Sequence, residues 1–231
     1  MELCVLEHQA DAPAGLLADW AAARGHRVDV LRVPELERWP DARRYAAVVS
    51  LGSDRSVHGS PDPWIAREVD HLREAHAAGV PVLGLCFGGQ ALAAALGGAV
   101  CRAAIPEIGW YRLADGDEPG PGEGPWFEWH YDTFDVPPGA AVLARDAGGG
   151  PQAFRIGASV GLQFHPEVTP EIVDWWVRGD ERAVARNGLQ AGEILRQTAA
   201  LADEGRERAF ALFDTIAEGW PQGRPSSVQT R

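Results

Sequence analysis

The chain has no lysine; all 21 of its basic residues are arginine. Schiff-base chemistry through a lysine amine is therefore excluded, and so is a phosphate-cradling P-loop, which needs Lys beside its Ser or Thr. Cysteine is scarce. Cys4, Cys86 and Cys101 form an odd, low set that builds no disulfide framework and fits a reducing compartment. No CxxC pair is present, so a thiolate zinc site is not expected. No apolar run approaches the roughly 18 residues that cross a bilayer, and the first residues have neither the basic region nor the apolar stretch of a signal peptide. The expected location is the cytoplasm. Acidic residues outnumber basic ones 33 to 21, a net charge of −12, which argues against nucleic acid and against an anionic membrane surface as partners.

What is present reads as an α/β protein. At 231 residues the chain is one domain, or one domain with an appendage, and can bury a sizeable core. Apolar runs at residues 3–6, 27–33, 45–51 and 80–85 read as strands. Residues 15–24 and 62–78 place apolar side chains at helical spacing, and residues 91–96 read as a third helix, stopped by Gly97-Gly98. Strands alternating with helices predict a mostly parallel sheet covered on both faces, with its site at the C-terminal strand ends. The texture then changes. Residues 108–113, 141–144, 152–156 and 159–164 read as strands, the last three antiparallel and joined by turns, while residues 126–134 are dense in aromatics. A helix is expected over 170–177. Two amphipathic helices are expected beyond 180, one around Leu189 to Leu201 and one over 209–216. The expected division is a main domain over 1–180, a helical extension over 181–219 packed on it, and a flexible tail over 220–231.

The chain is organised around Gly84-Leu85-Cys86-Phe87-Gly88-Gly89-Gln90, between the strand ending at Leu85 and the helix that follows. Glycines at 84, 88 and 89 point to a tight turn. The expected result is a nucleophile elbow, a thiol projecting from a sharp bend at a helix N-terminus with its unpaired N–H groups and positive potential. The plainer reading is a small buried cysteine in an α/β core.

A thiol nucleophile needs a base, and the chain has seven histidines. His71 and His76 lie in a polar helix and are expected in solvent. His26 sits in a turn. His8 and His58 lie in loops at the expected active edge, and His130 is placed at the end of the aromatic stretch. His165 stands out. It follows the apolar residues 160–164, and Glu167 lies two residues on, on the same face if the segment is extended. Pro166 stiffens the link. A carboxylate beside an imidazole selects its tautomer and stabilises its protonated form. His165 would then deprotonate Cys86 and later protonate a leaving amine. The N–H of Phe87 and one from the loop at Gly52 are candidate oxyanion donors; an ordinary turn glycine is the alternative for Gly52.

The elbow together with Gly161-Leu162-Gln163-Phe164-His165-Pro166-Glu167 resembles the class I, triad-type glutamine amidotransferases, over about residues 40–178. Within that family the chain is most similar to stand-alone proteins like the amidotransferase domain of GMP synthase, and Trp129-His130-Tyr131-Asp132 resembles that group's Trp-His-Gly-Asp segment. The resemblance implies a flavodoxin-like three-layer fold and cleavage of the glutamine side-chain amide. It implies Cys86 as nucleophile, His165 as base, Glu167 as its orienter, and Gly52 and Phe87 as oxyanion donors. Gln90 would hold an end of the substrate, helped by the backbone near Trp129, Tyr131 and Asp132. Two positions depart from the pattern: Tyr131 replaces a glycine, and the Gly52 loop reads Gly-Ser-Asp-Arg-Ser.

The leading expectation is glutamine hydrolysis through a γ-glutamyl thioester, releasing ammonia for a separate acceptor synthase, with no metal or organic cofactor required. A γ-glutamyl peptide or amide hydrolase would use the same triad. A non-catalytic binding or regulatory module on the same fold is the third reading.

Overall fold

A computed structural model describes residues 1–221. In chain order it contains β1 (Glu2–Glu7), α1 (Gly15–Ala23), β2 (Arg27–Arg32), β3 (Ala47–Ser50), α2 (Pro63–Ala77), β4 (Val82–Leu85), α3 (Phe87–Ala95) and β5 (Val100–Tyr111). Then come β6 (Ala114–Asp115), β7 (Trp126–Phe134), β8 (Ala141–Arg145), β9 (Pro151–Ile156), β10 (Ser159–Leu162), α4 (Pro170–Gly179), α5 (Glu181–Arg186) and α6 (Ala191–Ala217).

The larger sheet has eight strands in the order β2-β1-β3-β4-β10-β9-β8-β6. From β2 to β10 the pairings are parallel; β9, β8 and β6 extend the sheet antiparallel. The parallel part follows the flavodoxin-like order, in which ligands bind beyond the carboxyl ends of the strands. β5 and β7 pair antiparallel in a separate two-stranded sheet.

Alternation along the central strands builds the layers. In β1, Leu3 and Val5 face one side, where Leu17 and Trp20 of α1 and Leu212 and Phe213 of α6 cover them. Cys4 and Leu6 face the other, against Ile65 and Leu72 of α2 and Leu92 of α3. Each such fully buried side chain contributes about 1.5–3 kcal/mol. A third apolar cluster joins Ile108 of β5 and Phe127 of β7 to Ile172, Val173 and Val177 of α4 and Ile194 of α6. Thr169 caps α4, its hydroxyl accepting from Ile172 N at 3.3 Å with Pro170 in the first turn, so the segment after His165 enters its helix along a fixed path.

Several expectations are corrected. The two C-terminal helices are one, the 27-residue α6. Its middle, Asp203 to Arg208, shows no apolar stripe because that stretch is largely turned to water, with Arg206 paired to Asp19 and Arg208 to Glu204. β5 starts at Val100, earlier than residue 108, because a register shift between Arg102 and Glu107 breaks its alternation. Of strands 8–10, β10 is not only antiparallel: it also pairs parallel with β4. Trp220 does not begin a tail. It is buried, 3% exposed, with its ring against Trp20. The expected tail beyond residue 221 lies outside the described residues.

The elbow glycines serve close approach as much as turning. A Cβ on Gly84 would lie 2.3 Å from Gly88 O, and one on Gly88 would lie 2.1 Å from Ser50 O. Helix α3 therefore sits directly on the backbone of β3 and β4. Gly88→Ala is expected to destabilise the protein by about 3 kcal/mol or more, since only backbone movement relieves the clash. A urea midpoint within error of the parent's would contradict this.

Candidate active site

Cys86 has φ 50° and ψ −106°, the only non-glycine residue with positive φ among those described. Such a conformation costs about 1–3 kcal/mol and persists only where its surroundings enforce it. Here they do. Cys86 N donates to Leu162 O at 2.8 Å, Gly88 N donates to Leu51 O at 3.1 Å, and Cys86 O accepts from Gln90 N at 3.0 Å. The thiol is thereby held between two neighbouring strands and the first turn of α3. Its Sγ lies 3.8 Å from both Trp129 O and Gln163 Nε2.

β4 pairs with β10, Leu85 opposite Leu162, so the residues just past both strands share one edge. Beyond β10 the chain turns toward the second sheet, where His165 N donates to Phe127 O at 2.8 Å. His165 Nδ1 lies 2.7 Å from Glu167 Oε1, both side chains being buried. A carboxylate only accepts, so Nδ1 carries the hydrogen. The Trp176 ring packs edge-on against the imidazole. Burial opposes a charge on His165, but Glu167 and then Cys86 outweigh it and raise its pKa well above the ordinary 6.5. Its Nε2 is buried without a hydrogen bond. The thiol is near enough to bias the imidazole toward protonation, yet outside strict hydrogen-bond geometry.

Gly52 closes over this pair. A Cβ placed on it would lie 2.9 Å from His165 Cε1 and 3.9 Å from Cys86 Cβ. Neither Gly52 N nor Phe87 N donates to a backbone acceptor among the described residues. The Gly52 loop is anchored from behind. His8 Nδ1 is 3.0 Å from Gly52 O, His8 Nε2 is 2.8 Å from Glu68 Oε2, and Ser50 Oγ donates to Glu68 Oε1 at 2.6 Å. Both His8 nitrogens face acceptors, so both are donors. Burial lowers its pKa, but Glu68 more than offsets this and the net shift is upward.

Cys86, Phe87, Gln90, Gly52, Trp129, Tyr131, Asp132 and His165 all line one cavity of about 450 Å³. Glu167 stands behind His165. Gln90 Nε2 donates to Asp132 O at 3.0 Å and to Gln163 Oε1 at 3.3 Å, which leaves its carbonyl as the group it can offer a ligand. The Asp132 carboxylate accepts from Ser56 Oγ and, at 3.3 Å, from Arg102 Nη1. The Arg102 guanidinium also lies over the Tyr131 ring at 4.7 Å, so the departure at Tyr131 gives this arginine a platform at the cavity wall.

Residues 16–174 match the family described as glutamine amidotransferase class-I. The chain belongs to that family. It is 32% identical over 194 residues to a GMP synthase (glutamine-hydrolysing) of Aeropyrum pernix, a match covering 72% of this chain and 36% of the synthase; it thus spans about a third of the length of that relative. It is 29% identical to the glutamine amidotransferase-like protein YfeJ of Salmonella typhimurium, across 87% of this chain and 89% of that one. A crystal structure of a glutamine amidotransferase from Methylobacillus flagellatus superposes with a TM-score of 0.90 at 26% identity, over 99% of both chains.

In this member of the family three other histidines depart from expectation. His71 is buried, 6% exposed, against the Trp39 ring, because the polar face of α2 meets the segment before β3. His76 is half-buried, its Nδ1 2.9 Å from Ser159 Oγ. His130 lies inside β7, not at its end; His58 lies in a loop, as expected. Two contributors escaped the sequence reading, the His8–Glu68 pair behind Gly52 and Gln163 beside the thiol. His8 carried a faint signal in its place after β1; Glu68 carried none, since a lone acid on an amphipathic helix reads as solvated.

Two outcomes are expected. Glu167→Gln removes the leading positive influence on His165 and lowers its pKa, readable as an imidazole titration by NMR; an unchanged titration would refute the coupling. The His8–Glu68 pair has a folded pKa for His8 above its unfolded value. Its stabilisation is therefore complete below about 6.5 and is lost as pH rises through the higher folded value. His8→Gln should cost about 3 kcal/mol at pH 6 and clearly less at pH 9, measured by denaturation. A penalty that grows with pH would reverse the argument.

Proposed function

We propose that the protein hydrolyses the side-chain amide of glutamine through a covalent thioester at Cys86. The observation that carries this is the strained elbow thiol beside a buried His165–Glu167 pair, in a chain of the class I glutamine amidotransferase family. Cys86 gives its proton to His165 Nε2 as its sulfur adds to the amide carbon. The N–H groups of Gly52 and Phe87 receive the developing oxyanion. His165 returns the proton to the departing nitrogen, which leaves as ammonia, and the γ-glutamyl group stays on sulfur. Water, deprotonated by His165, then releases glutamate and restores the thiol. Glu167 holds the imidazole in the tautomer that this cycle needs. The Gln90 carbonyl and the backbone around Trp129, Tyr131 and Asp132 hold the amino-acid end, with the carbonyl suited to an α-ammonium.

Ammonia would pass to an acceptor enzyme on a separate protein. In support, a relative from Saccharolobus solfataricus, matched over 38% of this chain, is named as one subunit of a glutamine-hydrolysing GMP synthase. Among the described residues no helix is long and apolar enough to cross a membrane. A cytoplasmic site of action agrees with the three unpaired cysteines.

A γ-glutamyl amide hydrolase is the second reading, favoured by one feature. The cavity runs past Cys86 to Arg55, Arg102 and Asp180, leaving room for a leaving amine larger than ammonia.

The test is ammonia release from L-glutamine by the purified chain, beside a panel of γ-glutamyl peptides. Turnover of glutamine is expected, falling about 10⁴-fold or more in Cys86→Ala with the fold retained. Glu167→Gln should keep measurable activity, because it orients and transfers no proton. Peptide cleavage without glutamine turnover would favour the second reading. Full activity in Cys86→Ala would sink both. Thiol alkylation gives an independent check, since Cys4 is buried with its pKa pushed up to about 12 and should stay inert.

A further inference from the structure

A second cluster of chemistry-bearing side chains, which shares no residue with the thiol and its base, lies on the two-stranded sheet. Glu107 of β5 and His130 of β7 are directly opposed in the two-stranded sheet, and Glu128 lies two residues before His130, on the same face of β7. One ligand atom from each falls within 4.8 Å of the others. Glu128 is fully buried, and neither of its carboxylate oxygens has a hydrogen bond.

The hydrogen positions sharpen the problem. His130 Nδ1 lies 2.9 Å from Asp132 O, a carbonyl that can only accept, so Nδ1 carries the hydrogen. The other nitrogen, Nε2, then turns a lone pair toward Glu107 Oε2 at 3.1 Å and Glu128 Oε2 at 3.4 Å. Three electron-rich atoms converge with nothing positive between them. A second proton on Nε2 would satisfy Glu107 and leave Glu128 unserved. A proton on Glu128 Oε2 would reach the Nε2 lone pair only at 3.4 Å and would leave Glu107 Oε2, at 3.1 Å, facing that same lone pair. A cation at the centre satisfies all three at once.

We propose that Glu107, Glu128 and His130 bind a divalent first-row transition ion, for which Zn²⁺ is the first probe. One imidazole nitrogen and two carboxylate oxygens suit Zn²⁺ or Mn²⁺. Ligand atoms about 2.0–2.1 Å from a tetrahedral Zn²⁺ stand about 3.3 Å apart, and the two nitrogen–oxygen separations here are 3.1 and 3.4 Å. The surrounding shell fits as well. Asp132 O fixes the His130 tautomer, and Gln152 Nε2 donates to Glu107 Oε2 at 2.7 Å, orienting that carboxylate. Glu107, 18% exposed at its side chain, offers the entry path. The bound ion clamps β5 to β7, the strand that carries Trp129, Tyr131 and Asp132 into the cavity. Cysteine spacing gives no hint of this site, because no cysteine takes part.

The experiment uses the full chain with Cys86→Ala, so that the thiol beside His165 cannot capture the ion. The protein is stripped with a chelator, titrated with Zn²⁺ and separately with Mn²⁺, and bound metal is counted after gel filtration. One equivalent of Zn²⁺ is expected, with a rise of about 5 °C or more in melting temperature at saturating metal. Glu128→Gln in that background should weaken binding at least about 100-fold. If that variant fails to fold, Glu107→Gln, at the more exposed ligand, carries the same test. Absence of a stoichiometric site in the Cys86→Ala protein overturns the proposal, as does Zn²⁺ affinity undiminished in both glutamine variants. A Glu128→Gln protein more stable than its parent, with no metal taken up by either, assigns the cluster to a buried proton and also overturns it.

Discussion

The site depends on the parallel pairing of β4 with β10. Leu85 stands opposite Leu162, and the ladder's last bond, Cys86 N to Leu162 O at 2.8 Å, reaches into the elbow. These strands are more than 70 positions apart in the chain, and nothing local brings them together. A slip of one residue would exchange the two buried faces of β10 and carry His165 away from the thiol. The register is secured by burial on both faces, with Val160 and Leu162 in the core shared with α1 and α6. The price of a strained Cys86 is met by that same packing, since α3 can seat its glycines on β3 and β4 only if the chain reverses sharply at residue 86.

Around this edge the protein buries three imidazoles beside carboxylates, and the three differ in balance. His165 faces one carboxylate and one thiol, an arrangement suited to moving a proton between sulfur and nitrogen. His8 faces one carboxylate and one carbonyl, so both its nitrogens are fixed donors and it acts as a rigid strut for Gly52. His130 faces two carboxylates and one carbonyl. Glu128 is fully buried, and neither of its carboxylate oxygens has a hydrogen bond. In the proposed mechanism the first pair moves a proton, the second holds a loop in place, and the third lacks a counter-charge.

The parts legible in the sequence were those with local signatures. The Gly-rich elbow, the His-Pro-Glu segment after an apolar run, and alternating strands and helices each depend on neighbours within a few residues. What stayed hidden depended on distant partners. Glu68 and His71 sit on a helix of mixed polarity, and their burial is set by β1, β3 and the Trp39 segment, which no window of α2 reveals. The continuity of α6 was lost for the reverse reason. Its solvent-facing middle, with Gly205 inside it, breaks the apolar pattern while the helix runs on, held by ion pairs to Asp19 and Glu204. The Glu-x-His of β7 was in plain view, but its meaning required Glu107 from the opposite strand.

The two departures from the family pattern fall on one wall of the cavity. Tyr131 supports Arg102, and Arg102 reaches the Asp132 carboxylate, which also accepts from Ser56 in the altered Gly52 loop. A glycine at 131 would leave Arg102 without its aromatic platform, and Ser56 ties the loop to β7 through the same aspartate. The two changes are therefore one structural unit, a polar clasp across the cavity from the thiol. None of its contacts involves Cys86, His165 or Glu167, so under the proposed mechanism it bears on which molecule is admitted.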